Sequence, residues 1–356
     1  MAAPQVLTAP EAAETYADAW RALAAGHPWT SYFCTPDWQL SWWEVLGSGR
    51  DVRLAVWPGD GGLDAVVGLV REPLHPRIAR VRGPWAPLGS GAGAADHLGW
   101  LVRPERHDDV RRWLAETVGR SSLLLPASDP ESRAADLVTG ADPIATTACP
   151  RVDLPDDPLP TGSSKLRKRV RYDERKLAEE GVTTTWLSPG QVTGEVLDHL
   201  LRLHGSRAGD QGWATSFTAE RRRLHLALLA RATPGCGPAA VVARRDDEVV
   251  GVLYGFLWQR TFAYYQTGWD EAYARHGLGT VLVAAAMRAA RDAGCEVFDF
   301  LRGAEPYKYR FGAVDRTDTT WLAGRGPVAR VVRARYADHD GAARSEEDAG
   351  APALRD

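Results

Sequence analysis

The sequence predicts an α/β (α+β) fold, with mixed, mostly antiparallel sheets flanked by helices in two successive halves. Three observations carry this. Residues 239–244, 248–258 and 261–267 form an uninterrupted β meander, joined by the short turns Arg245-Asp246-Asp247 and Gln259-Arg260. A glycine-rich turn, His276-Gly277-Leu278-Gly279, then opens an apolar helix to about residue 293, and a strand over 296–300 follows directly. The first half has the same grammar of helices plus a meander, and 356 residues suffice for two domains.

The elements follow in order. Apolar positions at helical spacing predict a helix over 11–25. A second begins at Thr35-Pro36, where Thr35 caps and Pro36 suits the first helical position; Trp38, Trp42 and Trp43 make it an aromatic-burying helix. Strands are expected over 52–57, 65–70 and 78–81, with Gly and Asp turning the chain in 58–62. A Gly/Ala/Pro-rich loop covers 84–95, and a helix over 104–118 and a strand over 121–125 complete the half. Five prolines make 141–160 read as an irregular linker.

The second half opens with a basic helix over 163–180, capped by Ser163 or Ser164 and ended by Gly181. A strand over 182–187 and helices over 190–207 and 218–231 precede the meander. A strand near 317–322 and a basic helix over 328–336 close the fold. The Ala/Gly/acid-rich stretch 345–356 reads as disordered. The expected division is 1–150, 151–337, and a tail 338–356.

Composition narrows the function. Hydrophobic residues at 44% and charged residues at 25% exclude a wholly disordered chain. A net charge of −3 argues against a globally basic nucleic-acid binder. Apolar stretches fall short of the roughly 18–20 residues that span a bilayer. Residues 1–24 lack a basic start and an apolar core, so no secretory leader or membrane insertion is expected, and a cytoplasmic setting fits. Cys34, Cys149, Cys236 and Cys295 are far apart, which predicts neither a metal site nor a disulfide framework. Only four of the 43 basic residues are Lys, and three of them, Lys165, Lys168 and Lys176, share the basic helix.

Three groups of residues bear on chemistry. The first is the turn Arg275-His276-Gly277-Leu278-Gly279-Thr280. A helix N-terminus leaves free N–H groups and partial positive charge, and glycines let a phosphate approach. The turn is either a pyrophosphate site, with Arg275 and His276 adding charge, or a plain strand-to-helix turn. It lacks the Gly-Lys-Ser/Thr of a P-loop and the third glycine of a dinucleotide fingerprint.

The second group is 299–312, where Asp299, Arg302, Glu305, Tyr307, Lys308 and Tyr309 cluster after a buried strand. Such a set supplies a general base, a general acid and donors for a developing oxyanion. Glu305 is the favoured base, with Asp299 in reserve, and Tyr307 or Tyr309 the acid. Lys308 stabilises negative charge or binds an acidic acceptor. Asp299 and Arg302 are alternatively an ion pair that shapes the turn.

The third group is the basic helix. Arg167, Arg171 and Arg175 share one face, and Lys165 and Lys168 add charge. It is either a solvated face, a contact for a phosphate-bearing ligand through residues such as Lys168, or a contact for a tRNA acceptor end. His204 and Arg207, near Asp210 and Trp213, either line the acceptor pocket or lie on the surface. His97 beside Asp96 reads as structural.

These motifs also carry a resemblance. Residues 274–279 resemble motif A of the GNAT N-acyltransferases, with Ala274 where the motif has Gln or Arg; Arg275 substitutes from the next position. The runs Tyr264-Tyr265-Gln266-Thr267-Gly268-Trp269-Asp270 and Phe298-Asp299-Phe300-Leu301-Arg302-Gly303-Ala304-Glu305-Pro306-Tyr307-Lys308-Tyr309-Arg310-Phe311-Gly312 resemble the CelD/BcsL-like GNAT family. So do Ser164-Lys165-Leu166-Arg167-Lys168 and Tyr32-Phe33-Cys34-Thr35-Pro36-Asp37-Trp38. The resemblance spans about residues 30–323 and extends to the FemAB-type transferases, which have two GNAT-like halves. It implies tandem GNAT-like domains, acetyl-CoA or another acyl-CoA as donor at residues 275–280, and an amine on a small molecule, amino sugar or amino acid as acceptor. Tyr265, Gln266, Arg302 and Tyr307 are then substrate residues. Two other readings stay open: a FemAB-like transferase using aminoacyl-tRNA, and a non-catalytic binding protein on a GNAT scaffold. The retained Gly277-Leu278-Gly279 turn and the lack of a visible coiled-coil arm favour the acyl-CoA enzyme.

Overall fold

The computed structural model describes residues 3–74, 82–91, 95–155, 163–210 and 219–348. In chain order the elements are β1 (Gln5–Leu7), α1 (Pro10–Glu14), α2 (Ala17–Ala25), α3 (Pro36–Leu46), β2 (Asp51–Gly59), β3 (Gly62–Pro73), β4 (Arg82–Pro87), β5 (Leu101–Val102), α4 (His107–Val118), β6 (Leu123–Ser128) and β7 (Ala141–Asp153). There follow α5 (Ser164–Glu179), β8 (Val182–Leu187), α6 (Gly194–Asp210), α7 (Ala219–Ala230), β9 (Gly237–Arg245), β10 (Glu248–Trp258), β11 (Thr261–Trp269), α8 (Leu278–Asp292), β12 (Val297–Asp299), α9 (Pro306–Arg310), β13 (Val314–Ala323) and α10 (Pro327–Asp348). Among the described residues no helix is long and apolar enough to cross a membrane.

Two compact units contain these elements. One holds residues 1–34, 47–147 and 317–356, the other 35–46 and 148–316. Neither is a single stretch of chain, as halves at 1–150 and 151–337 would be. The reason in the first unit is strand pairing: β13 returns to bond β6, with Trp321 opposite Leu125 and Ala323 opposite Leu123. In the second it is apolar burial, because the wholly buried Trp38 of α3 packs edge-on to Phe256 of β10 at 5.7 Å.

Each unit runs through the same order of elements. In the first, β1, β2, β3 and β4 pair antiparallel in sequence, α4 follows, and β6 returns parallel to β4. In the second, β8, β9, β10 and β11 pair antiparallel, α8 follows, and β12 returns parallel to β11. The first core gathers Trp57, Leu69, Trp85, Trp100 and Leu114; the second gathers Val170, Leu253, Phe262, Leu282, Met287 and Phe298. Strands β9 and β10 read as near-continuous apolar runs because helices cover them, and α8 buries Leu278, Val281, Leu282 and Met287 at helical spacing.

Caps follow the expected chemistry. Thr35 Oγ1 accepts from Trp38 N at 3.3 Å, and Ser163 Oγ accepts from Leu166 N at 3.2 Å. Three features differ from the sequence reading. The helix over 11–25 is broken into α1 and α2 around Thr15 and Tyr16. The proline-rich linker begins as a long strand, β7, whose last residues bond β12; Pro143 and Pro150 are accommodated within it. The last helix, α10, continues to Asp348, past residue 338 where the tail was expected to begin. The expected strand over 78–81 lies outside the described residues, as do residues 349–356.

Behind the second unit's sheet, His225 of α7 is wholly buried and bonds Tyr254 Oη through Nδ1 at 3.1 Å. Burial, with Arg221 adding to it, pulls its pKa from 6.5 down to about 3. The folded protein therefore holds this imidazole neutral, while the unfolded chain takes up a proton as pH falls below 6.5. The unit is expected to lose stability from pH 6.5 downward until about pH 3, by about 1.4 kcal/mol per pH unit from this one group. Urea melts of His225→Gln over pH 4–7 should show that much less slope; an unchanged slope would exclude His225 as its source.

Candidate active site

The second unit carries the candidate site at the C-terminal ends of β11 and β12, where ligands sit in parallel-stranded sheets. The two strands bond over three pairs only, ending at Ala263 opposite Asp299. Beyond that point β11 keeps its partner β10, while the chain after β12 turns to the opposite side. Phe300 N donates to Pro150 O and Gly303 N to Ala148 O, both at 2.9 Å. Among the described residues the ladder of β11 from Tyr264 to Trp269 is thus with β10.

A bulge lies at the start of this stretch. Gly255 faces Tyr264 and Tyr254 faces Gln266, so Tyr265 is an extra residue on β11. The bulge sends neighbouring side chains to different groups. Tyr264 packs with Phe298 and Phe300, while Tyr265 packs with Trp38, His225 and Phe256. Gln266 Oε1 accepts from Thr267 N at 2.9 Å. His204 of α6 lies against the same strand, its Nδ1 3.3 Å from Thr267 O. Gly268 is required there, because a Cβ would come within 2.6 Å of His204 N. Arg207 lies on α6 one turn of helix further on, and Trp213 is outside the described residues.

The glycine turn follows β11. Gly277 takes φ +61° as the residue that caps α8, and Thr280 N and Val281 N both fold back onto its carbonyl. That leaves Leu278 N and Gly279 N as the first-turn donors without a backbone acceptor. Both glycines also have packing reasons. A Cβ on Gly277 would sit 2.6 Å from Asp173 Oδ2, and one on Gly279 would sit 2.8 Å from Trp269 Nε1. The flanking cations are engaged: Arg275 Nη2 and His276 Nε2 both reach Glu180 Oε1, at 3.3 and 2.7 Å. Lys168 is exposed on α5.

The block after β12 forms a tight loop closed by Lys308. Asp299 is buried and accepts from Leu301 N at 2.7 Å. Leu301 and Gly303 take φ +56° and +105°. The Lys308 ammonium, nearly inaccessible, donates to the carbonyls of Leu301, Arg302 and Gly303 at 3.3, 2.8 and 2.9 Å and pairs with Glu305 Oε2 at 2.8 Å. Its three protons are shared among these four acceptors, so the ammonium holds the loop together. Arg302 points outward and is exposed. Glu305 is extended before Pro306 and about half exposed. Tyr307 is half-buried beside Phe300 and bonded to Tyr264, and burial raises its phenol pKa far above the ordinary value. Tyr309 instead faces Asp315, to which its hydroxyl donates at 2.7 Å.

The structure therefore brings Tyr264, Asp299, Glu305, Tyr307 and Lys308 to one strand end. Arg302 and Tyr309 turn outward from it. The sequence reading missed Tyr264, Trp269, Asp173 and His225. An aspartate inside a basic helix and one more aromatic in an aromatic strand gave no distinguishing signal. Burial pushes the thiols of Cys34 and Cys295 up to about 11, which makes them poor nucleophiles at neutral pH.

A family model described as an acetyltransferase (GNAT) domain matches residues 164–309, the stretch that contains the whole of this site. Residues 164–309 thus match a GNAT acyltransferase domain. Solved structures share the fold over nearly the full length. The C-terminal DUF2156 domain of a putative lysylphosphatidylglycerol synthetase from Agrobacterium fabrum aligns at TM-score 0.58 and 13% identity, covering 90% of this chain and 95% of that one. FemX aligns at 0.60 and 9%, covering 89% and 96%. L-PGS from Bacillus licheniformis aligns at 0.52 and 13%, covering 79% and 88%. No curated protein matches the chain.

Within the GNAT domain, the loop geometry separates Lys308 from Glu305. Lys308→Met would leave the carbonyls of Leu301, Arg302 and Gly303 without their shared donor around two residues of positive φ, and should lower unfolding free energy by about 1–3 kcal/mol. Glu305→Gln removes only a half-exposed pairing and should cost about 1 kcal/mol or less. Urea denaturation of the two variants checks this; equal losses would mean that Glu305 shares the loop-holding role.

Proposed function

We propose that this protein is an acyl-CoA-dependent N-acyltransferase acting on an amine of a small molecule. The observation that carries the reading is the parting of β11 from β12 beside the two free amides at the start of α8. An acyl-CoA chain fits as the missing ladder partner of β11, with its pyrophosphate at Leu278 N and Gly279 N. The equivalent helix of the first unit offers no such place. There α4 begins with Asp108 and Asp109, and Arg106 before it is bonded to Asp64 at 2.9 Å. Negative charge in a first turn repels phosphate.

The chemistry assigned to the site is direct transfer. The amine nitrogen attacks the acyl carbon as Glu305 takes the amine proton, directly or through one water. The C–S bond breaks as the tetrahedral intermediate collapses, and the thiolate takes a proton. Tyr307 is assigned as the proton donor of the two tyrosines, since it lies inward against Tyr264 while the Tyr309 hydroxyl is committed to Asp315. Lys308 and Asp299 act on the loop: they fix the backbone that sets where Glu305 stands.

A second reading, an aminoacyl-tRNA donor, is favoured by one surface. Lys165, Lys168, Arg171 and Tyr172 of α5 are all exposed, a set that suits a polyanion carrying bases. Calorimetry with acetyl-CoA, longer acyl-CoAs and aminoacyl-tRNA separates the two. Saturable binding of an acyl-CoA supports the first reading, and binding of aminoacyl-tRNA alone replaces it with the second. With the donor in hand, Glu305→Gln should lower turnover about 10²–10⁴-fold with little change in acyl-CoA affinity. Wild-type turnover across pH 6–9 would remove Glu305 from the base role.

A further inference from the structure

The phosphate turn lacks the cation expected of it. The motif position is Ala274, and Arg275 and His276, the two nearby candidates, are both directed to Glu180. A different guanidinium stands at the turn. Arg169 of α5 donates through Nε to Asp173 Oδ2 at 2.8 Å. That same oxygen is 2.6 Å from the point a Cβ on Gly277 would occupy. Arg169 is thus one carboxylate away from the start of α8. Its side chain is 53% exposed, and among the described residues its Nη1 and Nη2 have no hydrogen-bond partner.

Asp173 accounts for the placement. It is 2% exposed, and a carboxylate so buried requires a counter-charge. Arg169 supplies one, and the positive end of α8 supplies part of another. The second oxygen, Oδ1, is buried with no donor among the described residues. It is an acceptor beside the turn for a hydroxyl or N–H that a ligand brings there. The carboxylate also offsets some of the positive potential of the helix start, so two amides alone make a weak seat for a doubly charged group. A guanidinium with two free nitrogens corrects that, in the forked geometry that suits phosphate oxygens.

We propose that Arg169, held by Asp173 as a positioning residue, is the side chain that binds the diphosphate of the donor at the Gly277 turn, in the place the motif gives to Ala274. This rests on the acyl-CoA reading above. Gly277 belongs to the same device, since any side chain there would push Asp173 away.

The test compares three ligands on the full-length protein by calorimetry: coenzyme A, 3′-dephospho-coenzyme A, and pantetheine, which has no phosphate. Arg169→Met should weaken the first two about 10- to 100-fold, the worth of a charged hydrogen bond, and leave pantetheine unchanged. Arg275→Met should leave all three unchanged. Arg169→Met strands a buried carboxylate, so the double variant Arg169→Met/Asp173→Asn, which removes both charges, is measured beside it and should show the same selective loss. Wild-type affinity for coenzyme A in a folded Arg169 variant overturns the inference and leaves the acyl-CoA reading standing. An equal loss for pantetheine, or a loss for coenzyme A without one for its 3′-dephospho form, also overturns it. A wild-type protein that binds none of the three overturns both.

Discussion

Buried backbone N–H and C=O groups need partners, and among the described residues the β11 ladder with β12 ends at Ala263 while the ladder with β10 continues. The rest of the second unit follows from that constraint. The chain leaving β12 is drawn to the far side by the bonds of Phe300 and Gly303 to residues 148–150. The turned-away segment must then close into a loop, and it does so through left-handed residues at Leu301 and Gly303 with Lys308 Nζ at its centre. The bulge at Tyr265 and the aromatic packing of Tyr264 brace the half-bonded strand from both faces. A buried lysine is costly, and here its charge is offset by three carbonyls and the Glu305 carboxylate.

The two units share one backbone plan and differ at the start of one helix. Both run four antiparallel strands, a helix and a parallel return strand. In the first unit the helix starts on Arg106, His107 and two aspartates; in the second it starts on a left-handed glycine with two open amides. Backbone topology is shared, and what differs is the first turn of one helix and the residues that face it.

Much of this was legible in the residues. The meander over 239–267, the helix after Gly277 and the Thr35 and Ser163 caps are local features, set by period, turn residues and capping oxygens within a few positions. The glycine turn and the block after β12 were also marked, because rare residue types cluster there. What escaped was set by distant partners. Nothing near Asp173 in sequence indicates that it rests against Gly277, a hundred residues on. The three carbonyls that Lys308 binds are likewise invisible in side-chain letters. Pro143 and Pro150 read as linker, and only the pairing of residues 151–153 with β12 shows why a strand tolerates them. The pairing of Arg275 with Glu180, ninety-five positions away, is of the same kind.

The return of β13 to β6 has a consequence for synthesis. As the chain leaves the ribosome, residues 47–147 emerge early, yet the strand that completes their sheet is not made until residue 323. Everything belonging to the other unit from 148 to 316 is translated in between. The first unit therefore finishes folding last, and during that interval the edge of β6 that β13 will cover is an unpaired strand. The order of translation and the order of completion are opposite in this protein.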